Sequence, residues 1–101
     1  MGESENFTWD DNKDRENRRK HGLPLLAAEA LLGDPLHLDH PTSRAVAGEL
    51  RRILVGQAQR RMLSCVYIWA ERKRHAISVR PASRKERRAY QANLDASRDR
   101  G

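Results

Sequence analysis

The sequence predicts an α+β domain: a small antiparallel β-sheet with helices packed against it, in the order β-α-α-β-β-β-β-α. Three observations carry that expectation. The most apolar stretch, MLSCVYIWA (62–70), is flanked by two strand-like runs through connections short enough for hairpins. A strongly apolar helical run, LLAAEALL, follows Pro24, which suits the first position of the helix, and stops at Gly33. Ser83 and Glu86 have the spacing of a capping box, which starts a helix directly after the last strand.

Taken in order, residues 1–6 read as a flexible lead-in and 7–94 as one domain. Phe7-Thr8-Trp9 is a short β-prone piece, followed by the N-cap types Asp10 and Asp11. The helix NKDRENRRKH is closed by Gly22 at a C′ position. It has no apolar residue between Asn12 and His21, so its own burial cannot hold it. It must be bracketed by neighbours, lie exposed, or serve as a binding face. Leu36 to His40 alternates as a short edge strand, and a polar loop runs from Pro41 to Gly48. Strands follow at 50–56, 62–70 and 74–80, with 62–70 in the centre because both its faces are apolar. The last helix runs from Ser83 through Tyr90 towards Leu94, and residues 95–101 form a frayed tail.

At 101 residues there is room for one modest core. Charge is polarised along the chain. Residues 1–43 hold five Lys/Arg against nine Asp/Glu, net −4, and residues 44–101 hold fifteen against five, net +10. So cationic a half favours an anionic partner, nucleic acid or an acidic protein surface. Without a long apolar run or a basic helix with aromatic anchors, no membrane partner is expected. Cys65 is the single cysteine, which excludes an intrachain disulfide and a cysteine metal site. The acidic MGESENFTWDD lacks the layout of a signal peptide, so a cytoplasmic location is expected.

The stretch ISVRPASRKERRAY joins a strand to a helix and places Arg80 and Arg84 on either side of the turn. A guanidinium fork suits phosphate oxygens, and a helix N-terminus offers unpaired N–H groups. Arg51, Arg52 and Arg74 lie on neighbouring strands, and Arg88 and Tyr90 lie on the helix; together they outline a nucleic-acid surface. Each arginine alone is more simply a solvated charge. Lys20 and His21 could serve phosphate charge and proton transfer, or merely complement the helix dipole. Glu49 could be a base or an arginine's partner. Tyr90, Tyr67 and Trp69 are better suited to packing. His37, Asp39 and His40 lack a further Cys or His pair, so neither a metal nor another cofactor is expected.

These motifs resemble the BrnT family of type II toxins: WDDNKDRENRRKHG, Asp34-Pro35, Glu49-x-Arg51 five residues before Gly56, and ISVRPASRKERRAY. The resemblance covers Phe7 to Tyr90. It implies a fold like the RelE/ParE toxins and metal-independent endoribonuclease activity that blocks translation. It also implies a ribbon-helix-helix antitoxin similar to BrnA, in a complex that binds operator DNA through the antitoxin. By position it carries Lys20, His21, Glu49, Arg51, Arg80, Arg84 and Tyr90 onto the family's recurrent polar positions. Trp9, Asp10, Asn17 and Asp34 match as structural residues. His75 stands where an arginine is usual, LPLL replaces the aromatic after Lys-His-Gly, and Val79 replaces an alanine. The alternative reading is a basic nucleic-acid-binding module without catalysis.

Overall fold

The computed structural model describes residues 1–42 and 48–99. Its elements are β1 (Gly2–Glu3), β2 (Phe7–Trp9), α1 (Asp11–His21), a 3-10 turn (Leu25–Ala27), α2 (Ala28–Leu32), β3 (Leu38–Pro41), β4 (Arg52–Ala58), β5 (Arg61–Ala70), β6 (Lys73–Pro81) and α3 (Arg84–Asp99). The strands form one sheet in the order β1-β2-β6-β5-β4-β3, with β5 central and β3 at an edge as expected.

The α+β class and the antiparallel β3 to β6 meander are as read from the sequence. The all-antiparallel expectation is corrected. β2 runs parallel to β6, pairing Phe7 with Arg74 and Thr8 with His75, so the six-stranded sheet is mixed. That pairing joins strands at opposite ends of the chain, where no local turn signal exists. Within the first six residues, Gly2 and Glu3 pair with Trp9 and Thr8. Glu29 holds this segment by accepting from Ser4 Oγ, Asn6 N and Asn6 Nδ2 at 2.6–2.8 Å.

Along one sheet face Leu54, Cys65 and Val79 stand in register, all fully buried. Leu25, Ala28 and Leu31 close over them. Pro24 lies outside the helical turns as extended backbone (ψ 152°), so the apolar helix starts as 3-10 and α2 keeps five residues. Cys65 is a free thiol, pushed up to about 12 by burial. Two-residue turns join β4 to β5 and β5 to β6, with Gln59 (φ 49°), Arg60 (φ 72°) and Glu71 (φ 58°) left-handed.

α1 begins and ends where its caps dictate. Asp10 accepts from the N–H groups of Asn12 and Lys13, and Gly22 closes the helix at φ 68°. With no apolar face, the helix is anchored by polar bonds. Asn17, 4% exposed, donates from Nδ2 to the carbonyls of Leu23 and Val79 at 2.8 Å. It accepts from the Val79 N–H at 2.9 Å. Among described residues β2 pairs with β6 no further than His75, so the Asn17 amide takes over the vacant edge of β6 at Val79.

α3 covers part of the opposite sheet face. The capping box forms as read, with Glu86 N–H donating to Ser83 Oγ and Ser83 N–H to Glu86 Oε1. The helix continues past Leu94 to Asp99. Tyr90 donates to Asp34 Oδ2 at 2.7 Å, and Asn93 Nδ2 donates to the Leu36 carbonyl at 3.1 Å. Trp69, expected to pack, is 51% exposed.

Candidate functional site

α3 leaves the β3–β4–β5 side of its sheet face open. There a cleft of ≈ 750 Å³ lies between α3 and the strands, floored by half-buried Ile53 and Val66. Strand alternation aims Arg51 and Ile53 to the same face. His40 pairs with Ile53, and Thr42 N–H donates to the Arg51 carbonyl. His40 and Arg51 are thus diagonal neighbours on adjacent strands. Across the cleft stand Arg80 from β6 and Ser83, Lys85 and Glu86 from the start of α3.

The Arg51 Nε is shielded from solvent and has no hydrogen-bond partner among the described residues. His40 Nδ1 lies 3.3 Å from the Pro41 carbonyl. A carbonyl only accepts, so Nδ1 carries the proton in the neutral ring and Nε2 is left with the lone pair. Arg80, which the sequence left free for phosphate, is paired: its fork meets Glu86 Oε1 and Oε2 at 2.8 and 2.9 Å. Ser64 Oγ also donates to Glu86, at 3.2 Å. Burial alone would raise the Glu86 carboxyl, but the Arg80 fork and the Ser83 N–H hold it down to about 2. Glu86 is therefore an anion that orients Arg80, not a base at neutral pH.

The other sequence-nominated residues lie elsewhere. Lys20 pairs with Glu16 at 3.8 Å, and exposed His21 follows it at the end of α1; neither lines this cleft. Arg84 and Arg88 are exposed on α3 outside it. Tyr90 is 5% exposed and bound to Asp34, so it packs the helix and has no surface to offer a nucleic acid. Burial, helped by the Asp34 carboxylate, pushes its hydroxyl up to about 12.

Arg52 and Arg74 are drawn to Asp39. Its carboxylate accepts from Tyr67 Oη at 2.6 Å, Arg52 Nε at 2.9 Å and Arg74 at 3.5 Å. Against the raising effect of burial, these donors keep Asp39 below the usual carboxylate range. Arg74 stacks on Trp69 and Tyr67, 4.4 and 5.2 Å from their ring centroids. Glu49 is exposed and lines a second cleft of ≈ 420 Å³ with Arg52, Leu50 and Trp69.

Sequence reasoning missed His40 and Lys85 as cleft residues, Glu86 as Arg80's partner, and Asp39 as an anchor. Glu86 carried a signal, its capping spacing, but its second partner lies across a strand-to-helix corner. His40 and Asp39 were weighed as metal ligands; among the described residues no metal-binding cluster forms.

No curated protein matches the chain. The family model for BrnT, the ribonuclease toxin of type II toxin–antitoxin systems, matches residues 9–86, a span that takes in His40, Arg51, Arg80, Ser83 and Glu86. The chain belongs to the BrnT family of ribonuclease toxins.

Proposed function

We propose that this protein is a metal-independent endoribonuclease toxin of RelE/ParE-like fold that cleaves RNA in the cytoplasm, stops translation, and is neutralised by a ribbon-helix-helix antitoxin. In this reading the toxin–antitoxin complex binds operator DNA through the antitoxin. The observation that carries the catalytic part is the placing of Arg51, whose Nε has no partner among the described residues, in one cleft with Arg80 in a chain of a ribonuclease family. No described helix is long and apolar enough to cross a membrane.

RNA lies across the open sheet face with a phosphodiester between Arg51 and the Arg80 side. The 2′-oxygen attacks the adjacent phosphorus, the bond to the 5′-oxygen breaks, and that oxygen takes a proton from water in the open cleft, leaving a 2′,3′-cyclic phosphate and a 5′-hydroxyl. Arg51 and Lys85 stabilise the charge that grows on the phosphoryl oxygens. His40 Nε2 takes the 2′-proton, with Lys20, His21 and Glu49 as the rival proton-transfer groups. Arg84 and Arg88 hold the strand beyond the cleft.

The test is cleavage of end-labelled RNA in excess EDTA by wild type, Arg51→Ala, His40→Ala and His21→Ala. The expected result is cyclic-phosphate ends from wild type, with Arg51→Ala and His40→Ala at least ~100-fold slower. Ends bearing only 3′-hydroxyls would overturn the mechanism, and a loss confined to His21→Ala would move proton transfer to α1. The Arg80–Glu86 pair favours one second reading, a module that binds nucleic acid without cutting it, because that fork is already neutralised. RNA binding that needs Arg51, with no cleavage by any preparation, on or off ribosomes, would establish it.

A further inference from the structure

We propose that the second cleft, against Trp69, is a nucleobase subsite for a single-stranded RNA whose phosphate lies beside Arg51, an inference that rests on the arginine-cleft reading. Trp69 is 51% exposed, whereas Tyr67, the ring it meets two residues earlier on β5, is fully buried. One indole face is backed by Arg74 at 4.4 Å, and the Tyr67 ring meets it edge-on at 5.8 Å. Asp39 in turn holds Arg74 and Tyr67. The ring is therefore fixed from behind while its remaining surface opens on a cleft of ≈ 420 Å³. Rigid aromatic faces of this kind stack bases of any sequence.

The wall chemistry suits a base edge. Glu49 can accept from an exocyclic amine, and Leu50, Ile68 and Pro41 supply apolar sides. Arg52, held through Nε and one terminal nitrogen by Asp39, presents its guanidinium as a cationic wall of the same cleft. Position links the two clefts. Both touch Pro41, and the consecutive Arg51 and Arg52 open one to each. Neighbouring strand residues face opposite sides of a sheet, so the RNA strand rounds the Pro41 end of the sheet, with a phosphate beside Arg51 and a base against Trp69.

Tryptophan fluorescence reads this directly, because the second indole, Trp9, is 9% exposed. The full chain is titrated with a 2′-O-methyl RNA pentamer, which cannot be cleaved through its 2′-oxygen, and with an abasic pentamer of the same charge. The expected result is quenching and tighter binding by the base-bearing oligomer, an advantage of about tenfold that Trp69→Ala removes. Trp69→Phe keeps most of the advantage and loses the signal, which separates stacking from misfolding. Equal binding of both oligomers to wild type, or an undiminished advantage in Trp69→Ala, overturns the proposal. Loss of antitoxin binding in Trp69→Ala with RNA binding intact also overturns it, assigning Leu50 and Trp69 to a protein interface. Arg51→Ala weakens both oligomers alike. If it weakens neither, the arginine-cleft reading fails, while a base preference that vanishes with Trp69 stands separately.

Discussion

Asn17 spends its whole amide on backbone, donating to Leu23 and Val79 and accepting from Val79. Asn17→Ala strands the buried Val79 groups and should cost about 2–4 kcal/mol, seen as a lower urea midpoint at unchanged slope. Asn17→Asp rescues little, because a carboxylate cannot donate to the two carbonyls and is itself buried. Glu86 gives a pH prediction whose sign follows from its depression to about 2 from an ordinary 4.5. A carboxyl lowered by folding stabilises above its unfolded value and loses that stability as pH falls towards its folded value. Wild type should weaken between about pH 4.5 and 2, while Glu86→Gln is less stable at neutral pH and flatter across that window in thermal melts. At this scale the sequence revealed Glu86 as a cap and Asn17 as a recurrent position. It did not reveal Arg80 as the partner of Glu86, because a strand-to-helix corner brings those two together and no periodicity encodes it.

Among the elements, the β4–β5 hairpin turns on Gln59 and Arg60, both at positive φ. Asn-Gly adopts that geometry without side-chain strain, so Gln59→Asn with Arg60→Gly should stabilise by about 1 kcal/mol. Loss of the Arg60 charge should meanwhile weaken RNA binding slightly, since Arg60, Arg61 and Arg87 line a third opening beside this turn. The meander was legible because its turns are short and β5 is apolar on both faces. α1 was legible from Asp10 and Gly22, and the start of α3 from Ser83 and Glu86. The parallel β2–β6 pair was not, since a three-residue strand carries too little pattern to name a partner across the chain. Pro24 misled for a local reason. Its extended backbone suits the residue before the first turn as well as a place within it, and the chain took the former.

For the whole molecule, polarised charge was the most transferable sequence signal, though it overcounted free cations. Arg52 and Arg74 serve Asp39, and Arg80 serves Glu86, leaving Arg51 and Lys85 as the cleft's cations outside any ion pair among the described residues. RNA affinity should fall with salt, and Lys85→Ala should flatten the log–log slope by about 0.7, the share of one phosphate contact on a single strand. Arg74→Ala should instead lower the melting temperature, because it unstacks Trp69 and removes a donor from Asp39. The fully buried thiol of Cys65 has a use at this scale. A thiol reagent reaches it only when the layer of Leu25, Ala28 and Leu31 lifts from the sheet or the sheet itself opens, so the protein carries its own clock for opening. Under the proposed function, RNA and antitoxin should each slow that clock in proportion to how tightly they grip the folded form, so that one unmodified atom weighs both partners on a single scale.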